Sequence, residues 1–353
     1  MEIEKSELIK RIALLERAIP GKATIPCTEG ILVKDGRMCT NDLQNAISIL
    51  APEADGECFI IPKKAIAMVK SLPSGPIQIL PQSDGTLTIK AGTIRTKIKT
   101  FPMDDFPESF TIEASSEETV DFSDLTGMLA NVAYATSANE ARPIHTGVLL
   151  DGDGTNLNVV ACDGFRCAWA HTMHSGTFKM VIPKPTVKLL LSIKQDGPLN
   201  ISTKGEKAIF EIGDCKIYSR LLSGDFLDYR KVFPSRQRSI GIDRGKLLDA
   251  MSRILICSDD AHKGRVEMDG SDTILQLKCN SSSADYIEQL EVQDRFLSDM
   301  RIMFNAAYVV DALKSYDGPV IDCYFGAKSS EPLILDDGAM KALLLPVRIA
   351  DGK

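Results

Sequence analysis

Apolar residues near the start of the chain recur at the spacing of an amphipathic helix. Four of them are separated by four, three and four residues, which places them on one face of a helix. They are Leu8, Ile12, Leu15 and Ile19. Short apolar runs follow, separated by turn dipeptides such as Asp35-Gly36 and Asp84-Gly85, and this pattern predicts β-hairpins.

The pattern occurs three times along the chain. An extended apolar run enters a predicted helix at Pro62, Pro183 and Asn305, which are 121 and 122 residues apart. A second landmark, residues 105–107, matches residues 225–227 at an offset of 120. A period of this length indicates three copies of one structural unit.

Each copy is predicted to be an α+β unit with two helices packed on antiparallel sheets. The first helix follows a short strand, and the second begins at the proline positions, because proline is tolerated in the first turn of a helix. We expect domains at residues 1–116, 117–238 and 239–353.

Charge is distributed unevenly between the predicted helices and the rest of the chain. The chain carries a net charge of −7, but the six helical segments together carry +7 and the remainder −14. Basic helices could face phosphate groups while the acidic remainder faces solvent. Alternatively, lysine and arginine are simply helix formers on solvated faces. No base-reading motif appears, so any contact with double-stranded DNA should be sequence-neutral.

The composition favours a cytoplasmic protein, associated with the nucleoid if it binds DNA. The first residues contain no apolar signal segment, and the longest apolar runs are too short to span a bilayer. Nine cysteines without a secretory signal indicate reduced, mostly buried thiols.

Candidate catalytic and metal sites are incomplete. His171 and His174 lack further ligands for a metal, and residues 151–154 begin like a calcium loop but lack its closing glutamate. Cys162 and His145 could form a thiol–imidazole pair, but no oxyanion hole accompanies them. There is no phosphate-binding glycine loop. We therefore expect a non-enzymatic protein without a metal or a cofactor.

Four stretches resemble the bacterial DNA polymerase III beta subunit (beta sliding clamp) family. They are residues 161–168, 224–234, 304–313 and 343–349, in the family's order and spacing. The resemblance implies three tandem DNA-clamp-like repeats and a head-to-tail homodimer that closes into a ring around duplex DNA. Such a ring confers processivity by tethering the DNA polymerase III alpha subunit, the clamp loader and other proteins that carry a clamp-binding motif.

The resemblance also implies a peptide-binding cleft formed by the second and third repeats. From the second repeat it would take His145, Cys162, Gly164, Phe165, Arg166, Cys167, Leu227, Lys231 and Val232. From the third it would take His262, Asn305, Tyr308, Leu343, Leu345, Pro346, Val347 and Arg348. The family commonly has Thr, His and Leu at the positions of Cys162, Phe165 and Cys167, and apolar residues at those of His145 and His262.

Further residues are expected at DNA and at the dimer interface. Lys22 and Arg142 match family positions that contact DNA, and charge alone adds Lys10, Lys63, Lys184 and Lys188. Phe106 against Ile256 and Cys257 matches the dimer interface. The alternative function is that of a repeat-built structural or interaction protein with no DNA role.

Overall fold

A computed structural model of the chain describes residues 1–107, 112–233, 239–259, 264–296, 300–326 and 328–347. These described residues form seven α-helices and 24 β-strands. The helices are α1 (Lys5–Leu15), α2 (Lys63–Ser71), α3 (Phe122–Val132), α4 (Lys184–Ser192), α5 (Tyr229–Val232), α6 (Arg244–Cys257) and α7 (Ala306–Leu313).

The strands form four antiparallel sheets, two of four strands and two of eight. The first half of the strands comprises β1 (Glu2–Glu4), β2 (Gly30–Lys34), β3 (Arg37–Asn41), β4 (Asn45–Leu50), β5 (Cys58–Pro62), β6 (Pro76–Pro81), β7 (Thr86–Ala91), β8 (Ile94–Lys99), β9 (Ser116–Asp121), β10 (Gly147–Asp153), β11 (Asn156–Cys162) and β12 (Arg166–Met173). The second half comprises β13 (Thr177–Pro183), β14 (Pro198–Lys204), β15 (Lys207–Ile212), β16 (Cys215–Arg220), β17 (Ile240–Asp243), β18 (Arg265–Ser271), β19 (Ile274–Asn280), β20 (Asp285–Glu291), β21 (Met300–Asn305), β22 (Val320–Phe325), β23 (Leu333–Asp336) and β24 (Met340–Leu344).

The strands pair across the predicted repeats. The eight-stranded sheets have the orders β5-β2-β3-β4-β16-β15-β14-β9 and β13-β10-β11-β12-β24-β23-β22-β17. The four-stranded sheets have the orders β1-β6-β7-β8 and β20-β19-β18-β21. The first repeat thus pairs with the second through β4 and β16, and the second with the third through β12 and β24.

The chain packs as two compact units. The first contains Met1–Thr126 and Pro185–Leu222, and the second contains Gly127–Lys184 and Ser223–Lys353. The middle repeat is divided between the units because its two groups of strands belong to different eight-stranded sheets. Compactness therefore follows the shared sheets rather than the repeat borders.

The first helix packs as its apolar spacing predicts. Leu8, Ile12 and Leu15 of α1 have no solvent exposure, whereas Ile19 lies beyond the end of the helix and is only partly buried. Burying these side chains contributes about 1.5–3 kcal/mol each.

The helices that follow the proline positions begin one residue later than predicted. Pro62 has extended backbone angles, φ −73° and ψ 160°, and its strand register pairs it with Gly30. It therefore precedes α2 instead of occupying its first turn. At the third landmark, Asn305 caps α7, since its Oδ1 accepts the backbone N–H of Ala307 at 2.9 Å.

Asp35 and Gly36 form the predicted hairpin turn with positive φ at both residues, 49° and 67°. Among the described residues, no helix has the length and apolar character needed to cross a membrane.

Candidate functional site

The centre of the predicted cleft is the turn between β11 and β12. The Asp163 carboxylate accepts the backbone N–H groups of Phe165 and Arg166 at 2.8 and 3.0 Å. Gly164 has φ +92°, a conformation that glycine adopts without strain. The turn holds the Phe165 ring in solvent, with 62% of the residue exposed. An exposed phenylalanine on a rigid turn is a ready contact for an apolar ligand.

Arg166 connects this turn to the third repeat. Its guanidinium donates to Asp163 at 2.9 Å, to Asp311 at 2.7 Å and to the carbonyl of Tyr134 at 2.9 Å. It also lies over the Tyr308 ring, 4.3 Å from the ring centre. Burial alone would lower the pKa of Arg166, but the bonds and charges of Asp311 and Asp163 raise it above its ordinary value. Arg166 is thus a fixed cation within the predicted cleft.

The last strand, β24, contributes a buried side chain, and the residue that follows it contributes an exposed one. Leu343 is 2% exposed and lies opposite Cys167 in the β12–β24 register, so both belong to the core. Leu345 is 40% exposed, and its backbone N–H donates to the Phe165 carbonyl at 2.9 Å. The Val347 N–H donates to the backbone carbonyl of Met303 at 2.7 Å. The first bond places the backbone of Leu345 beside that of Phe165, and both residues are exposed.

A second group of predicted cleft residues surrounds Cys162. Its Sγ lies 3.4 Å from Nδ1 of His145, whose ring packs edge-to-face on Phe226 at 5.7 Å. Leu227, next in the chain, is 37% exposed. Burial, and then the Arg142 charge, lower the pKa of His145, although Asp163 opposes this shift.

The pair formed by Cys162 and His145 is not an activated nucleophile. Burial raises the pKa of the Cys162 thiol, whereas a reactive thiolate requires a lowered one. The pKa of Cys162 is raised and that of His145 is lowered, so both shifts favour the neutral forms. The two side chains are in contact, but the raised pKa of the thiol argues against an activated nucleophile, so the thiol–imidazole alternative is not supported.

The segment that carries Leu227 is held by a polar network on β10. The Tyr229 hydroxyl donates to Asp151 at 2.7 Å, and Arg230 donates to Asp151 at 3.0 Å and to Asp153 at 2.9 Å. The Trp169 ring packs against Tyr229 at 5.0 Å. These bonds use the carboxylates of the loop that resembled a calcium site, and no cluster of metal-ligating side chains occurs within the described ranges.

The remaining predicted cleft residues have other contacts or lie outside the described residues. Lys231 is paired with Asp228 at 2.8 Å, and its side chain is 85% exposed. Val232 and Pro346 are partly buried. His262 and Arg348 lie outside the described residues, as do residues 350–353.

Three residues that contact predicted cleft residues were not themselves predicted, namely Tyr134, Phe226 and Asp311. Asp311 follows Tyr308 by three residues on α7, so both lie on one helix face. That spacing was a usable signal for Asp311. The contact made by the Tyr134 carbonyl depends on the backbone path and has no sequence signal.

Profiles of a known family match the chain from end to end. The N-terminal, central and C-terminal domains of the DNA polymerase III beta subunit match residues 1–110, 119–228 and 230–348. The chain belongs to the DNA polymerase III beta subunit family. The family membership and the three-domain clamp fold predicted from the sequence are therefore confirmed.

Relatives and solved structures agree with this family. The beta sliding clamp of Vibrio cholerae is 25% identical over 366 residues, covering 98% of this chain and 99% of that protein. The beta sliding clamp of Pseudomonas aeruginosa is 25% identical over 365 residues, with coverage of 98% and 99%. A crystal structure of the P. aeruginosa DNA polymerase III beta subunit has a TM-score of 0.91 at 22% identity, covering 99% of this chain and 100% of that one. A P. aeruginosa sliding clamp bound to griselimycin also has a TM-score of 0.91, at 23% identity and 99% coverage of both chains.

The basic residues expected at DNA differ in how far their charges are neutralised within this beta-subunit fold. The Lys10 side chain on α1 is 77% exposed, 3.7 Å from Glu7. The Lys63 ammonium donates to the Pro20 carbonyl at 2.9 Å and lies 3.8 Å from Glu29, so much of its charge is compensated locally. Lys22, Arg142 and Lys188 are exposed, and Lys184 is partly buried.

The residues expected at the dimer interface also differ in exposure. Phe106 is only 5% exposed and packs with Cys27, Leu32 and Ile60 in the core of its own unit, so it offers little surface to a second copy. Ile256, near the end of α6, is 83% exposed, and Cys257 is partly buried. Of the three, Ile256 has the exposure that an interface requires.

Proposed function

We propose that the chain is a DNA sliding clamp subunit that encircles duplex DNA and tethers polymerases and other proteins through the cleft. The observation that carries this proposal is the surface formed by Phe165 and Leu345 within a beta-subunit fold. Exposed apolar side chains beside fixed polar groups suit an extended peptide with leucine and phenylalanine anchors. Proteins with a Gln-Leu-x-Leu-Phe type motif, including the polymerase alpha subunit and the clamp loader, are the expected partners.

Ring closure is supported by the way in which the repeats already pair. β4 of the first repeat pairs with β16 of the second, and β12 of the second pairs with β24 of the third. Within the described part of the chain, the corresponding strands β20 in the third repeat and β8 in the first each lie at the end of a four-stranded sheet. Pairing β20 of one copy with β8 of the next, twice, would close a head-to-tail dimer.

The two edge strands carry opposite charges. β8 contains Arg95, Lys97 and Lys99, whereas β20 contains acidic residues at 285, 288 and 291. The strands also have exposed apolar side chains, with Ile94 at 40% and Ile287 at 66% exposure. Opposite charges and apolar area on facing edges favour this pairing over self-pairing of either edge.

DNA binding in this proposal is electrostatic and independent of sequence. The exposed cations Lys10, Lys22, Arg142 and Lys188 are suited to phosphate contacts. Affinity for open duplex should be weak and should fall with salt, because encirclement replaces tight contact.

The topological part of the proposal is tested on circular and linear DNA. After loading by a clamp loader, the protein should remain on a nicked circle and be lost once the circle is cut. Equal retention on both forms would contradict encirclement. A monomer of 38.5 kDa in sedimentation at micromolar concentration would contradict the dimeric ring.

The docking part is tested by fluorescence polarisation with a labelled Gln-Leu-x-Leu-Phe peptide. Leu345→Ala should weaken binding by about 1–3 kcal/mol, since it removes an exposed wall of the cleft. Leu50→Ala is a matched control, because Leu50 has a similar exposure of 37% and lies in the first unit. If both variants bind as the wild type does, the peptide does not use this surface.

A further inference from the structure

The turn between β3 and β4 in the first unit repeats the turn at the centre of the cleft. Asp42 Oδ1 accepts the backbone N–H groups two and three residues later at 2.9 and 2.6 Å, as Asp163 does at 2.8 and 3.0 Å. The next residue has positive φ in both turns, +75° at Leu43 and +92° at Gly164. Leucine is strained in this conformation, and Leu43 is nevertheless 50% exposed.

The strand beside each turn is attached in the same way. The Arg220 N–H donates to the Gln44 carbonyl at 3.1 Å, just as the Leu345 N–H donates to the Phe165 carbonyl at 2.9 Å. Arg220 therefore occupies the position that Leu345 has in the cleft. The first unit contains a second groove that is built like the cleft and lined by different side chains.

The helix behind each turn also corresponds. Thr186 on α4 donates to the side chain of Asn45 at 2.6 Å, and Tyr308 on α7 lies under Arg166. Pro107 lines the second groove, and it is the counterpart of Leu227 because residues 105–107 match residues 225–227 at an offset of 120. The groove has a volume of about 520 Å³, which is sufficient for a few side chains of a peptide.

The groove is lined by apolar and basic side chains together with Asn41, Gln44 and Glu206. Leu43, Pro107 and Tyr218 supply apolar surface. Lys204 lies directly opposite Lys207 in the β14–β15 register, and Lys207 lies directly opposite Arg220 in the β15–β16 register. We call Lys204, Lys207 and Arg220 the cation row.

Like charges directly opposite each other on neighbouring strands are unfavourable. Two exposed acids reduce the repulsion, since Lys204 pairs with Glu113 at 3.1 Å and Arg220 lies 3.6 Å from Glu206. Exposed pairs of this kind are weak. A ligand with two adjacent carboxylates would neutralise the cation row more completely.

We infer that this second groove docks a short extended peptide with a leucine or phenylalanine anchor followed by acidic residues. The anchor would lie against Leu43 and Pro107, and the carboxylates would lie along the cation row. The inference adds a second docking site to the proposed clamp function. It does not require the first cleft to bind, because the two sites lie in different units and have separate probes.

The test is fluorescence polarisation with a labelled Gly-Ser-Leu-Phe-Asp-Asp-Gly peptide. Wild-type protein should bind it saturably, and Lys207→Gln should weaken binding by about fivefold or more. The same substitution should raise the thermal midpoint of the free protein, because it relieves the repulsion between Lys207 and its neighbours in the cation row. A merely structural role of Lys207 would not produce these opposite changes.

Leu43→Gly gives a second variant that is expected to fold, since glycine occupies the equivalent position in the cleft. It should lower the affinity for the acidic peptide about tenfold and leave the affinity for the Gln-Leu-x-Leu-Phe peptide unchanged. Leu345→Ala should do the reverse. Loss of the acidic peptide with Leu345→Ala, but not with Leu43→Gly, would overturn the inference by placing that peptide in the first cleft.

Probe variants separate the remaining outcomes. Replacing Asp-Asp by Lys-Lys, or Leu-Phe by Ala-Ala, should abolish binding if the apolar and the basic side chains of the groove are both used. Binding that survives the loss of Leu-Phe would overturn the inference, since it would reflect charge alone. Displacement of the peptide by a short DNA duplex that itself binds less well to Lys207→Gln would assign the cation row to nucleic acid instead.

Discussion

The two equivalent turns allow the contribution of the Arg166 ion pair to be isolated. Asp163→Ala removes two backbone caps together with the bond to Arg166. Asp42→Ala removes the two equivalent caps, and the residue in the place of Arg166 is the uncharged Asn45. The difference between the two variants therefore reports the ion pair.

The magnitudes follow from burial and from the bonds that remain. Loss of the turn caps should cost about 1–2 kcal/mol in both variants. Asp163 and Arg166 have side chains that are only 12% exposed, so breaking their bond carries a further penalty. Removing one partner of a fully buried pair costs about 3–5 kcal/mol, but Arg166 keeps Asp311, so we expect about 1–3 kcal/mol more for Asp163→Ala.

Urea unfolding followed by circular dichroism, with hydrogen exchange of the two turns, measures these costs. Asp163→Ala should also lower the affinity for the Gln-Leu-x-Leu-Phe peptide, because the backbone N–H of Phe165 loses its bond to Asp163. Asp42→Ala should leave this affinity unchanged. Equal destabilisation by both variants would refute the reasoning, since the ion pair would then contribute nothing. An unchanged peptide affinity in Asp163→Ala would refute the claim that the turn orders the cleft.

Three further predictions concern other parts of the chain. Tyr229→Phe removes the bond to Asp151 and should lower the free energy of unfolding by about 1–2 kcal/mol in urea titrations; an unchanged midpoint would show that this bond is dispensable. Because the pKa of His145 is lowered in the fold, the unfolded chain binds more protons, so stability should fall as pH decreases below the ordinary histidine value of about 6.5. His145→Gln should flatten that part of the profile of thermal midpoint against pH, and an unaltered slope would exclude His145 as its cause. Lys97→Glu on β8 should weaken the proposed dimer in sedimentation, and Lys90→Glu on the inner strand β7 is the control; equal effects of the two would argue against β8 as the interface.

The repeats and their helices were predictable because their signals are periodic. The apolar spacing in α1 and the recurrence of the helix entries depend only on local geometry and counting. A regular pattern does not show where a strand ends, and this accounts for one difference between the predicted cleft and the structure. Leu343 and Leu345 were both assigned to the binding surface, but Leu343 packs in the core, whereas Leu345 follows the end of β24 and is exposed.

Pairing of charges could not be predicted from their totals. Lys63 was expected to face DNA, but the carbonyls of Pro20 and Gly21 and the carboxylate of Glu29 share its charge. A count of charged residues includes no backbone carbonyl, so these contacts of Lys63 could not be predicted from it. Phe106 was likewise assigned to an interface from its position in a motif, whereas in the structure it is buried against Cys27, Leu32 and Ile60.

The sheets shared by two repeats have a consequence for synthesis of the chain. β4 can pair with β16 only after a further stretch of roughly 165 residues has been made. At about 5–20 residues per second, one edge of β4 would stay open for about 10–30 s on the ribosome. β12 waits in the same way for β24, close to the end of the chain. Open strand edges invite pairing with other chains, so a nascent chain that stalls between these points should depend on chaperones.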